Sequence, residues 1–143
     1  MVSQRVRYSL NALVQMVAFH GVRQVRTVEF ARWAGAPPRN LENALLDLKR
    51  HGLISSIRGA HGGYVFARNP AQITFADVFR ALDGPIALAP CAGELNEVPC
   101  QGCVSTATCN FHPSLVEARK ALVGVLETWT LAAAFASDRS PLA

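Results

Sequence analysis

The sequence predicts a mostly α-helical fold with a small β-hairpin wing, in the arrangement of a winged helix-turn-helix followed by a long C-terminal helix. Three observations predict it. Two short amphipathic helices are separated by a tight Gly/Pro turn, a glycine-rich hairpin follows them directly, and a long helix with a broad apolar face comes last. The pattern divides the chain into a winged helix-turn-helix domain over residues 1–84, a cysteine-rich loop over 85–113, and a helix with its tail over 114–143.

Three helices are predicted in the first part of the chain. Apolar residues at helical spacing place the first over 4–20. Thr27 is predicted to cap a second helix that runs to about Trp33, and a third follows the turn at 35–38 and runs to about His51. The buried stripe of the third helix is predicted to contain Leu41, Ala44, Leu45 and Leu48.

The spacing of the apolar residues then changes from helical to strand-like. Two β-prone runs, 53–58 and 64–67, flank the glycine-rich stretch 59–63, whose glycines permit the positive φ that a tight hairpin turn requires. Thr74 is predicted to cap a further helix that runs to about Leu82. A hairpin directly after two short helices is typical of a winged helix-turn-helix.

Residues 114–128 form the last predicted helix. Its broad apolar face contains Leu115, Ala118, Ala121, Leu122, Val125 and Leu126. This face is wider than a single three-helix core needs, and charged residues make up only 17% of the chain, against roughly 25% in an ordinary soluble domain. We therefore expect a dimerisation helix and a homodimer.

The net charge of +4 is unevenly distributed along the chain. Residues 1–89 contain eleven Lys/Arg and five Asp/Glu, whereas residues 90–143 contain three Lys/Arg and five Asp/Glu. The basic first part favours an anionic polymer as partner. No run approaches the roughly 18 apolar residues of a membrane span, and the N-terminus lacks a signal-peptide pattern. We expect a cytoplasmic protein with no membrane partner.

The second helix of a helix-turn-helix enters the major groove of DNA with its N-terminal residues. Here these residues are Arg39, Asn40 and Asn43, which lie off the apolar stripe. Arg pairs bidentately with guanine and Asn with adenine. Arg58 and His61 flank the wing glycines, where close approach to phosphate or the minor groove is expected. The alternative is a plain three-helix bundle with a hairpin, but the basic charge and the glycine-rich tip favour binding to double-stranded DNA.

All four cysteines, Cys91, Cys100, Cys103 and Cys109, lie within one short segment. Without an export signal a disulfide framework is not expected, so this bunching favours metal or redox chemistry. Thiolates suit both iron and zinc. With His112 the segment offers one donor more than a tetrahedral zinc or a cluster with four protein ligands requires. The residues alone leave zinc, an iron–sulfur cluster and a cluster-free thiol sensor open.

An oxidoreductase that uses Cys100 and Cys103 as a dithiol is the enzymatic alternative. A thioredoxin-like fold would place this Cys-x-x-Cys motif within a βαβ unit, and neither a preceding strand nor a following helix is visible. No other nucleophile–base set stands out. We therefore do not expect an enzyme.

Residues 41–84 resemble the Rrf-type (IscR/NsrR-like) family of bacterial winged-helix iron–sulfur regulators. The glycine-rich wing, 58–64, is the most recognisable part, and the helix entry at 73–74 and the helix end at 81–84 follow in the family's order. The likeness extends from about residue 7 to 131. It implies a cytoplasmic homodimeric repressor or activator with a pseudo-palindromic operator, whose DNA affinity is tuned by a 2Fe–2S or 4Fe–4S cluster in the cysteine loop.

The resemblance also implies a ligand set. In IscR-like members three cysteines, the last two separated by five residues, precede a histidine at plus three. Cys103, Cys109 and His112 reproduce that spacing, and Cys91 matches the first cysteine. We expect these four residues to hold the cluster. The loop after Cys91 is longer than in the family, so Cys100 is the alternative middle ligand or a resolving thiol.

A carboxylate ligand is not expected. Some NsrR-like members supply one from the N-terminal helix of the dimer partner, but alignment places Arg7 at that position, and no Asp or Glu precedes Glu29. The last ligand is then His112 or the fourth cysteine. Zinc remains the alternative cofactor, in a zinc-stabilised winged-helix repressor.

Overall fold

The computed structural model describes residues 2–95 and 98–137. Within these ranges a helical domain with a two-stranded hairpin is followed by a cysteine-rich segment, a long helix and a short final helix, which confirms the predicted fold class. None of the described helices combines the length and the apolarity that a membrane crossing requires. The elements are α1 (Gln4–Met16), α2 (Thr27–Ala34), α3 (Pro38–Arg50), β1 (Ile54–Ile57), β2 (Gly63–Phe66), α4 (Phe75–Asp83), α5 (His112–Thr128) and α6 (Leu131–Ala136).

α2 and α3 form the helix-turn-helix, and the apolar stripe of α3 fixes its packing. All four predicted stripe residues are buried, in one core with Leu13 of α1 and Phe30 of α2. Burying each large apolar side chain contributes roughly 1.5–3 kcal/mol. Gly35 ends α2 with a φ of 71°, which glycine adopts without strain. Pro38 begins α3, where its missing N–H leaves no helical hydrogen bond unmade.

The wing is attached to the helical domain by one backbone pairing. β1 and β2 are antiparallel, with Ile54 opposite Phe66. Tyr64 exchanges two backbone hydrogen bonds with Val25, with N···O distances of 2.8 and 2.7 Å. A Cβ on Gly63 would lie 2.5 Å from the Val25 carbonyl oxygen, so only glycine permits this approach.

α4 is capped by Thr74, as predicted. The Thr74 hydroxyl accepts the Asp77 N–H at 3.1 Å, and the Asp77 carboxylate accepts the Thr74 N–H at 2.9 Å. This reciprocal capping box satisfies two donors that the helix itself leaves unpaired. α4 buries Val78, Ala81 and Leu82 and packs against α1, α3 and α5. It is therefore in contact with both the helix-turn-helix and the long C-terminal helix.

α6 is a helix that the sequence pattern does not predict. The Thr130 hydroxyl caps it by accepting the Ala133 N–H at 3.1 Å. Leu131 is fully buried in the core of the winged domain, and its N–H donates to the Ile73 carbonyl at 2.9 Å. A six-residue helix that is held by the buried side chain of Leu131 and by a backbone bridge between Thr130 and Thr74 has too little periodicity to be recognised from its own sequence.

Three helix boundaries differ from those that the sequence predicts. α1 ends at Met16 and continues as a 3₁₀ turn. The N-cap of α2 is Arg26 rather than Thr27, because the Glu29 carboxylate accepts the Arg26 N–H at 3.0 Å and draws this residue into the cap. α5 begins at His112, closer to the cysteines than predicted.

Candidate DNA-binding face and cysteine-rich segment

The predicted base-reading residues share one exposed face of α3. Arg39, Asn40 and Asn43 are all exposed in the first half of the helix, while its stripe residues face the core. A stable amphipathic helix thus presents a guanidinium and two amides to solvent from a rigid support. This is the arrangement by which a recognition helix donates to base edges in the major groove.

The wing tip presents the other two predicted DNA-contacting residues. Arg58 and His61 are exposed in the loop between β1 and β2, and the Gly62 N–H closes that loop on the Gly59 carbonyl at 3.0 Å. The side-chain amide of Gln24 donates to the His61 carbonyl and ties the tip to the helical domain. Sequence reasoning missed Gln24, because its partner lies far along the chain and polar residues in loops carry no periodicity.

The four cysteines occupy short turns, as the aperiodic sequence of this segment predicts. Cys91 is in a 3₁₀ turn and is only 5% exposed. Cys100 and Cys103 close a tight turn, in which the Cys103 N–H donates to the Cys100 carbonyl at 2.9 Å. Cys109 follows another 3₁₀ turn. Cys91 is thus the buried member of the set, and the other three are half-buried.

The thiol of Cys91 interacts with that of Cys100. A hydrogen bond with Cys100 raises the pKa of Cys91, burial raises it further, and the charge of Cys109 acts in the same direction. All four cysteines are free thiols. Cys100 is therefore the cysteine whose thiol affects that of Cys91 most strongly, whereas the family spacing points to Cys103 as the middle ligand.

The cysteines and His112 are side chains of the kinds that bind a metal or cluster, although they do not converge on one point. Among residues 2–95 and 98–137, no three His, Cys, Asp or Glu side chains converge at metal-binding distances. The segment nevertheless combines soft thiol donors with an imidazole, on turns rather than on rigid elements. Metal binding is coupled to local folding, so such a segment orders when its ligands converge on the metal.

His112 is linked to the first cysteine through the backbone. Its Nε2 lies 3.0 Å from the Cys91 carbonyl oxygen. A carbonyl oxygen only accepts, so Nε2 carries the hydrogen, and in the neutral ring the lone pair is then on Nδ1. Histidines that bind metals are oriented in this way, with one ring N–H donated to a backbone carbonyl.

Arg80 of α4 joins the cysteine-rich segment to α5 through two carboxylates. Its Nη2 lies 2.5 Å from Glu94 Oε1 and 2.8 Å from Glu127 Oε1. The hydrogen bond from Arg80 is the main reason that the pKa of Glu94 is lowered, and the Ile86 N–H lowers it further. Sequence reasoning missed this network, because its members lie on separate elements and resemble ordinary surface charges.

α5 has a second apolar face that its own chain does not cover. None of its described side chains is fully buried. A stripe of exposed apolar residues follows the a/d spacing of a packed helix pair: Phe111 at the N-cap, Ala118, Leu122, Val125 and Trp129 at the C-cap. We call these five residues the α5 stripe. It is separate from the half-buried residues of α5 that face its own chain, such as Leu115 and Leu126.

Comparison with known proteins identifies the family. Residues 2–137 match the Rrf2 family, which is described as an iron-dependent transcriptional regulator. An rrf2-like HTH-type transcriptional regulator of Rhodobacter capsulatus is 34% identical over 134 residues, which span 92% of this chain and 89% of that protein.

Two solved structures share the fold. CymR of Bacillus subtilis superposes with a TM-score of 0.74 at 28% identity, covering 96% of this chain and 97% of CymR. IscR of T. potens gives a TM-score of 0.72 at 26% identity, covering 100% of this chain and 92% of IscR. The resemblance that the wing and the cysteine loop indicate is thereby confirmed. The chain belongs to the Rrf2 family of transcriptional regulators.

Proposed function

We propose that this protein is a cytoplasmic, homodimeric transcriptional regulator whose affinity for its operator is set by an iron–sulfur cluster in the cysteine-rich segment. One observation carries the proposal: all four cysteines of the chain and His112 lie in one segment that is hydrogen-bonded to both α4 and α5. The description of the family as iron-dependent supports iron over other metals. A conformational change in this segment would then be transmitted to both neighbouring helices.

The DNA-binding part of the proposal rests on α3 and the wing. Arg39, Asn40 and Asn43 would read base edges in the major groove, while Arg58 and His61 would contact the backbone or the minor groove. A pseudo-palindromic operator follows from a two-fold dimer, with the two recognition helices one DNA turn, about 34 Å, apart.

The cluster would be held by Cys91, Cys109, His112 and one thiolate from the Cys100–Cys103 turn. The interaction between the thiols of Cys91 and Cys100 supports Cys100 as that ligand, while the family spacing supports Cys103. When bound, a 2Fe–2S or 4Fe–4S cluster supplies a redox-sensitive centre that is lost or altered by oxidants, by nitric oxide or by iron limitation. The residues of this chain bind it, shield it through buried Cys91 and orient His112.

The dimer would form through the α5 stripe. Leu122, Val125 and Trp129 are 36%, 56% and 45% exposed in the single chain, an arrangement that is unfavourable unless a second copy covers it. The a/d spacing of the stripe suits packing against a second helix of the same kind.

A second candidate is a thiol-based sensor without a cluster. The interaction between the free thiols of Cys91 and Cys100 favours it, because a peroxide can oxidise one thiol and the other can then form a disulfide with it. A third possibility is zinc, which would stabilise the segment without redox chemistry.

One preparation distinguishes the three. The protein is purified without oxygen, and iron, sulfide, zinc and the visible absorption spectrum are measured per chain. The proposal expects iron and sulfide in equal amounts and a coloured protein. Stoichiometric zinc in a colourless protein would indicate the zinc form. A metal-free protein that gains a Cys91–Cys100 disulfide with peroxide would indicate the thiol sensor.

A further inference from the structure

The ion-pair network around Arg80 connects the cysteine-rich segment with the winged domain. We infer that Arg80 is a positioning residue that couples the state of the cysteine segment to the DNA-binding domain, through Glu94 on one side and α4 on the other. The inference rests on the proposed function for its biological role, and the experiment below distinguishes failure of one from failure of the other.

Glu94 closes the loop that presents Cys91. Its N–H donates to the Ile86 carbonyl at 3.2 Å, and its carboxylate accepts the Ile86 N–H at 2.6 Å. Between these positions Ala87 and Gly93 form an isolated antiparallel bridge. Cys91 therefore lies at the end of a small loop whose two arms meet at Glu94, so a displacement of Cys91 is passed to that residue.

The Arg80 guanidinium binds this carboxylate at two points. Nη2 lies 2.5 Å from Glu94 Oε1 and Nε lies 3.3 Å from Oε2, so both the distance and the orientation of the carboxylate are fixed. The Glu94 side chain is only 12% exposed, so solvent screens this pair less than an ordinary surface pair. The third contact, to Glu127, extends the connection to α5.

α4 connects Arg80 to the recognition helix. The helix is capped at its start by Thr74 and buries Val78 and Leu82 in the core that also contains the stripe of α3. Close-packed helices shift as units rather than deform. A shift of the carboxylate that Arg80 holds is therefore passed to α4 as a whole, and from α4 to α3, against which it packs.

A second ion pair on the same helix provides a matched control. Arg68 lies 3.2 Å from Asp77 of α4, with an exposure similar to that of Arg80. Neither residue of this control pair belongs to the cysteine segment. Arg119 of α5 also lowers the pKa of Glu94, although less than the hydrogen bond from Arg80 does, so Glu94 keeps a nearby cation when Arg80 is replaced. The variant Arg80→Gln is therefore expected to fold.

The experiment compares operator affinity between cluster-loaded and cluster-free protein. The wild type, Arg80→Gln, Glu94→Gln, the double variant and Arg68→Gln are measured by fluorescence anisotropy, with iron content and Tm recorded for each. Coupling between two sites is typically about 5–150-fold. We expect the two affinities of the wild type to differ by a factor in that range, and those of Arg68→Gln to differ by the same factor. In the other three variants the two affinities should differ by less than about twofold.

The double variant tests that Arg80 and Glu94 act as one unit. If they do, its loss of Tm is smaller than the sum of the losses in Arg80→Gln and Glu94→Gln, whereas additive losses would show that the two residues act independently. If Arg80→Gln fails to fold, Arg80→Lys takes its place; it keeps the charge but loses the two-point contact, and a ratio of the two affinities between those of Glu94→Gln and the wild type is expected. A wild-type ratio in Arg80→Gln or Arg80→Lys, with normal iron content, would overturn the inference.

Alkylation separates the inference from the proposed cofactor. All four cysteines lie in the cysteine segment, so iodoacetamide modifies the thiols of that segment alone. If the wild type binds no cluster but alkylation changes its operator affinity, and Arg80→Gln removes that change, the cofactor proposal fails and the coupling role stands. If alkylation changes both proteins equally, or changes neither, the coupling role is overturned.

Discussion

The imidazole of His112 donates its Nε2 hydrogen to the backbone carbonyl of Cys91, with a distance of 3.0 Å between the two heavy atoms. This bond joins the buried first cysteine of the segment to the first residue of α5. Through it, the pose of the long helix depends on the conformation of the turn that contains Cys91. In the neutral form of a ring with its hydrogen on Nε2, the lone pair is on Nδ1, which is the form that a ligating histidine requires.

The first prediction ranks the cysteine ligands. Cys91→Ser and Cys109→Ser should lose the cluster, because removal of a thiolate opens the metal to water and oxidant. Cys100→Ser should also lose it, whereas Cys103→Ser should retain near-normal iron and sulfide, because Cys100 is the turn cysteine whose thiol interacts with Cys91. Iron and sulfide per chain are measured in the four variants after anaerobic purification. If Cys103→Ser loses the cluster and Cys100→Ser retains it, Cys103 is the middle ligand, as the family spacing indicates.

The second prediction concerns the two kinds of DNA contact. Arg39→Ala and Asn40→Ala should each lose about 1–3 kcal/mol of operator binding and relax specificity at one base position per half-site. Arg58→Ala should weaken binding to all sequences and reduce the salt slope by about 1, as loss of a phosphate contact does. Anisotropy titrations over a range of salt and operator variants measure both. Lys120→Ala, which removes an exposed positive charge of α5 outside both the winged domain and the cysteine-rich segment, is the control, and wild-type binding by all three test variants would refute the assignment.

The third prediction concerns the α5 stripe. Leu122→Glu should give monomers, because a buried, unpaired carboxylate at the centre of a helix pair costs more than the contact it replaces supplies. Lys120→Glu places the same carboxylate, with a larger change in charge, on an exposed position of α5 outside the stripe and should leave the dimer intact. Light scattering at one protein concentration compares the two. A soluble Leu122→Glu protein that remains dimeric would exclude the stripe as the interface.

The fourth prediction is a pH dependence of stability that originates at Glu29. Arg23 donates to both oxygens of its carboxylate, at 2.6 and 3.0 Å, and lowers the pKa of Glu29 to about 2. A carboxyl group whose pKa is lower in the folded state stabilises the fold above its ordinary pKa, and this contribution is lost as the pH falls through the folded value.

The wild type should therefore be more stable than Glu29→Gln by about 1 kcal/mol at pH 7, a value kept small because solvent screens the exposed pair. The difference should shrink as the pH falls from about 4.5 towards 2, the interval over which the folded chain holds the carboxylate ionised. Urea unfolding of cluster-free protein at a fixed chain concentration measures it. A difference that stays constant over this pH range would contradict the assignment.

Sequence alone predicts the elements whose signals are local. The stripe of α3 is visible as four apolar residues at helical spacing, and all four are buried. The cap at Thr74 is visible because a hydroxyl and Asp77 stand three residues apart. The glycines of the wing indicate a tight turn, and Gly63 proves to be required by its approach to Val25. In each case a short stretch of chain contains the whole physical cause.

The remaining features depend on contacts between distant parts of the chain. α6 is anchored by the buried side chain of Leu131 and by a backbone bridge between Thr130 and Thr74, and both depend on residues from other elements. The pairing of Arg80 with Glu94 and Glu127 joins three elements, and nothing in the local sequence distinguishes these charges from solvated ones. Which thiol interacts with Cys91 depends on how a long aperiodic loop folds, so the family spacing points to Cys103 while the pKa of Cys91 is raised by Cys100.

The most direct test of the proposed function compares the operator affinity of one anaerobic preparation with and without its cluster. The cluster is removed with a chelator and an oxidant, the thiols are then reduced again, and the affinity is measured by anisotropy before and after this treatment. The proposal predicts that the two affinities differ by at least about fivefold, the lower end of typical coupling between sites, and that reconstitution with iron and sulfide restores the first value. Equal affinities for protein with and without a cluster would contradict it, because a cluster that changes no binding equilibrium regulates nothing.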